Sequence, residues 1–198
     1  MKEHRRRVYF ATGNSNKYLE AARIATSFGI RLEHLNLEKQ EIQAENLVDI
    51  ASFAARRAAD TTRRSVVVED AGLFIRELGG FPGPYSSYSY ATIGLRGILR
   101  LMRGAVSREA SFQAAVAYCT PSRRVICFTG TTKGNLTRRP RGRKGFGYDP
   151  IFIPNRETRT FAEMSTADKN RFSHRAKAFR KFCGWFAESR SHVSSETS

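Results

Sequence analysis

The order of apolar and polar residues predicts that the chain opens with a strand, a turn and a helix. Residues 8–12 form a short apolar run of the kind found in buried strands, and residues 13–15 break it. Apolar residues then recur at helical spacing over residues 18–28, with Asn14 or Ser15 placed to cap the helix. The amides at the start of such a helix suit a phosphate, although many α/β proteins open this way without binding a ligand.

The middle of the chain continues the alternation of helices and strands. Helical spacing of apolar residues predicts helices over residues 47–58 and 93–102. Between them, the β-branched run at residues 66–68 predicts a strand that ends at Glu69 and Asp70.

The second half of the chain is richer in strands. A loop of glycines and prolines at residues 79–84 cannot be regular structure. Residues 112–119 and 125–131 predict a β-hairpin, residues 151–153 a short strand and residues 172–186 a final amphipathic helix. The predicted fold is therefore α/β, with a mixed, partly antiparallel β-sheet flanked by helices.

Length and charge narrow the class of protein. The 198 residues fit one domain, which we place at residues 8–187 between a basic extension (1–7) and a polar tail (188–198). Lys and Arg number 34 against 18 Asp and Glu, which gives a net charge of +16. This excess favours a polyanionic partner: a nucleic acid, an anionic membrane or a phosphorylated small molecule.

Cysteine usage and hydropathy bear on the compartment. The three cysteines are odd in number and match no metal or redox spacing, which indicates a reducing, intracellular setting. No apolar run approaches the roughly 18 residues of a spanning helix, and the basic start is not followed by a signal sequence. We therefore expect a cytoplasmic protein with no membrane partner.

Residues 145–150 carry the most informative local combination. They contain two glycines, two aromatic residues and Asp149, and they follow five closely spaced cations at residues 138–144. Glycines permit close approach, an aromatic face stacks on a base and cations attract phosphate, which together suggest a nucleotide site. A glycine turn with its aromatic residues in the core is an equally good interpretation of this segment alone.

Other polar residues supply what phosphate chemistry in water needs. Such chemistry takes cations for the anion, carboxylates for Mg²⁺ and a base to activate water. Lys17, Glu41 and Asp70 are the candidates, although Asp70 could instead make hydrogen bonds in a turn. Lys169 and Arg175 offer donors for a carbonyl oxygen on a purine ring.

Several segments, taken in order, resemble the motifs of one enzyme family. They are Thr12-Gly13-Asn14-Ser15-Asn16-Lys17, Glu69-Asp70-Ala71-Gly72-Leu73, the loop at residues 79–85, Phe146-Gly147-Tyr148-Asp149-Pro150, Ala162-Glu163-Met164, Lys169-Asn170 and Ser173-His174-Arg175. The chain resembles the inosine triphosphate pyrophosphatase family, also called Ham1-like or dITP/XTP pyrophosphatases, from residue 8 to about residue 185. Each motif alone is weak, whereas the ordered set is specific.

The resemblance implies a fold, a reaction and a set of roles. Such enzymes are elongated, with two lobes around a deep nucleotide cleft, and are typically homodimers that use Mg²⁺. They hydrolyse ITP, dITP and XTP to the monophosphate and pyrophosphate. By resemblance, Asp70 is the general base and binds the metal together with Glu41. The implied substrate-binding residues are Thr12, Gly13, Asn14, Ser15, Asn16, Lys17, Ala71, Phe146, Gly147, Tyr148, Asp149, Lys169, His174 and Arg175.

Departures and alternatives remain at this stage. Ala71 stands where the family usually carries Ser or Thr, so a hydroxyl contact is lost there. A Maf-like pyrophosphatase acting on pyrimidine triphosphates is a related alternative, against which the motifs at residues 146–149 and 173–175 argue. A non-catalytic nucleic-acid-binding protein would account for the charge of +16. Because one bound triphosphate also explains cations near its site, we do not expect a nucleic acid as a partner.

Overall fold

The computed structural model describes residues 7–37, 42–122 and 124–192. Within them, strands and helices alternate in the first half of the chain, and strands cluster afterwards. The strands are β1 (Arg7–Ala11), β2 (Arg31–Leu35), β3 (Val66–Ile75), β4 (Glu109–Cys119), β5 (Val125–Leu136) and β6 (Phe152–Pro154). The helices are α1 (Ser15–Ser27), α2 (Leu47–Thr62), α3 (Ser86–Thr92), α4 (Gly94–Leu101), α5 (Thr166–Phe172) and α6 (His174–His192).

The strands form one mixed sheet in the order β2-β1-β3-β4-β5-β6. Strand β1 pairs in parallel with β2 and β3, whereas β3-β4, β4-β5 and β5-β6 are antiparallel. The prediction of an α/β fold with a partly antiparallel sheet is therefore confirmed. Strands β1, β2 and β3, which are connected through α1 and α2, form the parallel pairs, and the β4-β5 hairpin and β6 add the antiparallel ones.

Strand β3 does not end where the sequence predicts. It continues past Asp70 to Ile75, because it pairs with β4 over its whole length. Asp70 is thus in the middle of a strand, and the prediction that this strand ends at Glu69 and Asp70 is wrong. Strand β1 does end at this level, since Phe10 lies opposite Val67 and Ala11 is its last residue. Asp70 therefore lies just beyond the edge of the parallel part of the sheet.

Other elements also differ from the prediction. Helix α3 and strand β2 are additional elements, and α4 covers most of the helix predicted over residues 93–102. The predicted final helix is two helices, since the backbone of Ser173 is extended and its hydroxyl accepts a hydrogen bond from the Ala176 amide. Helix α6 runs to His192, so residues 188–192 of the predicted tail are helical.

Helices cover both faces of the sheet. Helices α1 and α6 pack on one face around Phe10, Phe179 and Phe182. Helix α2 packs on the other face through a row of alanines, whose small side chains let it lie close to the strands. A third cluster surrounds Phe112 and Phe152 near β6. The helices on both faces are thereby held in place around the C-terminal end of β1.

Candidate active site

A cavity of about 1140 Å³ opens beyond the end of β1, between the opening turn and the segment at residues 145–149. It is lined by many of the residues that the sequence singles out, and by parts of β3, α3 and the segment 42–44. The predicted residues that line it are Thr12, Gly13, Asn14, Lys17, Asp70, Ala71, Phe146, Gly147, Tyr148, Asp149, Lys169, His174 and Arg175. Ser15 and Asn16 do not line it, and Glu41 lies outside the described residues.

The opening turn is held in shape by its own side chains. The Asn14 carboxamide caps α1 by accepting hydrogen bonds from the amides of Asn16 (3.0 Å) and Lys17 (3.1 Å). The Thr12 hydroxyl accepts from the Asn14 amide (3.1 Å), and His34 Nε2 donates to the Thr12 carbonyl (2.8 Å). Two amides at the start of α1 are therefore already bonded within the turn. The side chains of this turn, rather than those two amides, remain for a ligand.

Two successive carboxylates of β3 line the cavity and differ in their surroundings. Glu69 is fully buried, and its carboxylate contacts Lys17 Nζ at 2.8 Å and Arg175 Nε at 3.1 Å. The Asp70 side chain leaves the strand on the opposite face, where Ile50 of α2 and residues 42–44 also line the cavity. Glu69 is thus a structural ion-pair partner, and Asp70 is the carboxylate on the side of the segment that follows Glu41.

Three buried carboxylates and three cations form a network at the floor of the cavity. Lys169 Nζ contacts Asp149 Oδ2 at 2.6 Å and Glu20 Oε1 at 2.7 Å. Arg175 bonds the other Glu20 oxygen, and Glu69 connects Arg175 to Lys17. Each charge has an opposite charge in direct contact, which is the condition under which ionised groups are tolerated in a protein interior.

The network sets the charge states of its members. Burial by itself would raise the pKa of Glu20, but the adjacent Arg175 and Lys169 hold that pKa below its ordinary value. Burial raises the pKa of Asp149, and Lys169 offsets only part of the increase. Burial would lower the pKa of Arg175, but Glu69 and Glu20 raise it above its ordinary value. The guanidinium and the Glu20 carboxylate therefore stay charged together.

Glu20 is a site residue that sequence reasoning missed. It lies on α1, its side chain is buried, and it joins the two cations that were predicted to contact a purine. A signal was present: Glu20 is four residues before the apolar Ile24 on the same face of a helix. A carboxylate on an apolar helix face is rarely buried unless it is paired.

The segment at residues 145–149 folds as a tight turn around Asp149. Gly145 has φ of +72°, and a Cβ there would overlap Asp149 Oδ2, which accepts a hydrogen bond from the Phe146 amide (2.9 Å). The half-buried Phe146 ring covers Lys169 and Arg175, whose cationic groups lie 4.9 and 5.3 Å from its centroid. The other ring, Tyr148, is buried and donates its hydroxyl hydrogen to the Ser86 carbonyl (3.0 Å). Of the two aromatic residues in this segment, Phe146 is consequently the one whose polar surroundings are the buried cations of the cavity floor.

His174 is buried with an unused polar atom. Its ring stacks on Phe112 at 4.6 Å, and its Nδ1 has no hydrogen-bond partner within the part of the chain described by the structure. Burial lowers the pKa of His174 well below its ordinary value, and nearby Arg175 lowers it further, so the imidazole is neutral at physiological pH. A neutral imidazole nitrogen that lines a cavity is available to a ligand as a donor or an acceptor, depending on the tautomer.

The first turn of helix α6, which begins at His174, packs directly against Gly130 of β5, where there is no room for a side chain. A Cβ at Gly130 would overlap the His174 carbonyl oxygen and lie 2.7 Å from the Ala178 amide nitrogen. We expect Gly130→Ala to lower the free energy of unfolding by about 1–3 kcal/mol through overpacking. It should also lower the activity of the folded fraction by displacing His174. Denaturant unfolding and steady-state kinetics on the same samples would measure both effects.

Gly184 provides the matched control for this glycine. It lies within α6, and a Cβ there would meet no atom within 4 Å. Gly184→Ala should therefore raise the free energy of unfolding by about 0.5–1 kcal/mol, as alanine does in a helix interior. If both variants behave alike, Gly130 does not position α6.

Comparison with known proteins identifies the family of this chain. A model of the Ham1 family matches residues 8–185. The chain belongs to the Ham1 family. It is 48% identical over 180 residues to the dITP/XTP pyrophosphatase of Methanopyrus kandleri, covering 91% of this chain and 96% of that protein. The corresponding protein of Saccharolobus solfataricus is 49% identical over 171 residues, covering 86% and 88%.

Solved structures show the same relationship. The structure of a HAM1 protein from Coxiella burnetii matches with a TM-score of 0.80 at 29% identity, covering 92% of this chain and 98% of that one. The Ham1 protein of Staphylococcus aureus matches with a TM-score of 0.79 at 23% identity, which supports the fold. The chain therefore shares the Ham1 fold with these structures over most of its length.

Proposed function

We propose that this Ham1 family member hydrolyses deaminated purine nucleoside triphosphates, namely ITP, dITP and XTP, to the monophosphate and pyrophosphate. It would remove these nucleotides from the nucleotide pool. The observation that carries the proposal is one cavity lined by the polar opening turn, by a carboxylate of β3 and by buried hydrogen-bond donors suited to a purine base. Relatives that share nearly half of its residues are named dITP/XTP pyrophosphatases, which supports the same substrate class.

The opening turn is proposed to hold the triphosphate. The Lys17 ammonium contacts the carboxylate of Glu69 (2.8 Å) and its backbone carbonyl oxygen (3.5 Å). Because an ammonium carries three donors, one remains for a phosphate oxygen. The Thr12 hydroxyl accepts from the Asn14 amide and so has its own hydrogen to donate. Gly13 lets a ligand approach the backbone, while Asn14, Ser15 and Asn16 would act by fixing the turn.

The carboxylates of the cavity suit a divalent metal such as Mg²⁺. Among the described residues there is no group of three or more metal ligands, and Asp70 is the cavity carboxylate outside the buried network. Mg²⁺ commonly uses one or two carboxylates and completes its shell with waters and substrate phosphates, so this donor set fits. We propose Asp70 and Glu41 as the protein ligands. A metal bound there would neutralise negative charge on the phosphates.

Asp70 is also proposed to activate the attacking water. Its carboxylate would accept the proton as the water oxygen bonds to the α-phosphorus and the bond from that phosphorus to the α,β-bridging oxygen breaks. Pyrophosphate leaves with the electrons of that bond. Asp70 is buried and lines the cavity, and a carboxylate held in place there would lower the entropic cost of the step.

The floor of the cavity is proposed to select the base. Lys169 and Arg175 use some of their donors on Glu20, Asp149 and Glu69 and retain others, which together with His174 could meet a 6-oxo oxygen. Adenine would place an amino group against these donors and leave them unpaired, which costs affinity. Phe146, with Gly147 beside it, would stack on the ring, Tyr148 and Asp149 would hold that wall in place, and Ala71 would offer only its backbone.

Oligomeric state and location are proposed on separate grounds. Large apolar side chains are exposed around α3, among them Phe81, Tyr85 and Tyr88. Exposed apolar side chains concentrated in one segment are typical of protein–protein interfaces, which supports a homodimer. Cys119, Cys127 and Cys183 are free thiols, which supports a cytoplasmic location. Within the described residues, no helix has the length and apolar character needed to cross a membrane.

A substrate panel at fixed Mg²⁺ tests the function. Pyrophosphate release from ITP and XTP should be about a hundredfold or more faster, in kcat/KM, than from ATP, because buried donors reject the adenine amino group. GTP should also be a poor substrate. Faster hydrolysis of pyrimidine triphosphates would favour the Maf-like alternative instead, and equal rates on all nucleotides would exclude a base-selecting site.

A further inference from the structure

The charges at the floor of the cavity cancel. The three cations and three carboxylates in direct contact are Lys17, Lys169 and Arg175 with Glu20, Glu69 and Asp149. The chain as a whole carries +16. This excess therefore belongs to other parts of the molecule, and the substrate pocket does not account for it.

Part of the excess is concentrated on the segment at residues 138–144, which we call the basic loop. Arg138, Arg139, Arg143 and Lys144 are exposed, and none of them lines the cavity. Within the described residues these four cations form no ion pair, whereas Arg141 contacts Glu163 at 3.4 Å. The triphosphate explanation suggested by the sequence consequently does not extend to them.

The backbone of the basic loop is fixed. The Arg141 amide donates to the Pro150 carbonyl (2.8 Å), and the Lys144 amide donates to the Ala162 carbonyl (3.0 Å). Gly142, with φ of +81°, packs against Ala162 where any Cβ would overlap the backbone. The cations are thus presented by an ordered segment, so a partner would not have to pay for ordering the loop.

A further arginine extends this surface. Arg108 donates to the carbonyls of Leu136 (2.8 Å), Thr137 (2.6 Å) and Met102 (3.2 Å), which holds its guanidinium beside the start of the basic loop and, among the described residues, leaves two of its five N–H donors unused. Burial lowers the pKa of Arg108, and the nearby charge of Arg138 lowers it further. The two like charges repel each other, and an anion bound beside them would relieve that repulsion.

We propose that the basic loop, together with Arg108, is a docking surface for the sugar–phosphate backbone of a nucleic acid strand. Several separate cations along one rigid segment match a chain of successive phosphates better than a single small anion. Arginine dominates the set, and its planar guanidinium binds phosphate through two parallel hydrogen bonds. This proposal does not depend on the pyrophosphatase reaction, since none of its residues lies in the cavity.

Binding of a fluorescent oligo(dT) of about 20 nucleotides, followed by anisotropy over a range of salt concentrations, tests the proposal. The log–log slope of affinity against salt should fall by about 0.7 for each phosphate contact removed. The variant R138Q/R139Q should therefore lose about 1.4 from the slope and bind about tenfold or more weakly in about 0.1 M salt. Its kcat/KM for ITP should equal that of the parent chain.

The control variant R23Q/R56Q removes the same charge elsewhere. Arg23 on α1 and Arg56 on α2 are exposed and lie outside the basic loop. This pair should leave the slope and the affinity unchanged. Equal losses in both variants would show that only net charge matters and would overturn the proposal. A lower kcat/KM for ITP in R138Q/R139Q would also overturn the proposal. The same holds if R138Q/R139Q loses binding to phosphatidylserine vesicles while its binding of oligo(dT) is unchanged.

Discussion

An Asp70→Asn variant should release pyrophosphate from ITP about a thousandfold more slowly than the parent chain while binding the nucleotide within about tenfold. The amide cannot accept the proton of the attacking water, and it is a weaker metal ligand than a carboxylate. Binding changes little because the turn and the base-selecting floor are untouched. Single-turnover kinetics would measure the chemical step, and calorimetry with a non-hydrolysable ITP analogue would measure binding.

A carboxylate of α2 serves as the control for Asp70. Asp49 is exposed, bonds the cap residue Asn46 and does not line the cavity. Asp49→Asn should therefore retain nearly full activity. If Asp70→Asn keeps more than about a tenth of the parent rate, general-base catalysis by Asp70 is the wrong assignment, since removal of such a group costs at least about a hundredfold.

Replacing Glu20 by glutamine should lower the free energy of unfolding by about 3–5 kcal/mol. Glu20 contacts both Lys169 and Arg175 in the interior, and the uncharged amide would leave these cations with too little compensating charge. The same change should reduce the preference for ITP over ATP, because both cations would reorient. Guanidinium denaturation would measure the stability, and kcat/KM for the two nucleotides would measure the preference.

A half-buried glutamate at the protein surface serves as the control for Glu20, and a double variant tests whether the orphaned charge causes the loss. Glu33 makes ion pairs with Arg7 and Arg31 on the surface, so Glu33→Gln should change stability by less than about 1 kcal/mol. The double variant E20Q/K169M should be less destabilised than the sum of its single variants, because the orphaned charge is removed with its partner. A Glu20→Gln effect as small as that of Glu33→Gln would mean that the network is not buried in solution.

Elements formed by local pattern were predicted well from the sequence. Strand β1 and helix α1 follow from the spacing of apolar residues and from a capping residue. The β4-β5 hairpin follows from two apolar, strand-like runs separated by a turn. The end of β3 was predicted too early, because its continuation past Asp70 depends on pairing with β4, which is remote in the chain. The break at Ser173 was missed because apolar spacing runs through it, while its extended backbone does not.

The sequence by itself determined the family, the α/β class and the residue types for phosphate chemistry, because these are written in contiguous motifs. Only the tertiary structure decided what those residues do for one another. It paired Lys17, Lys169 and Arg175 with buried carboxylates, brought Glu20 into the site, and left the basic loop outside it. These outcomes depend on contacts between residues more than a hundred positions apart in some cases, such as Glu20 and Arg175, and on which charges lose water when the chain packs.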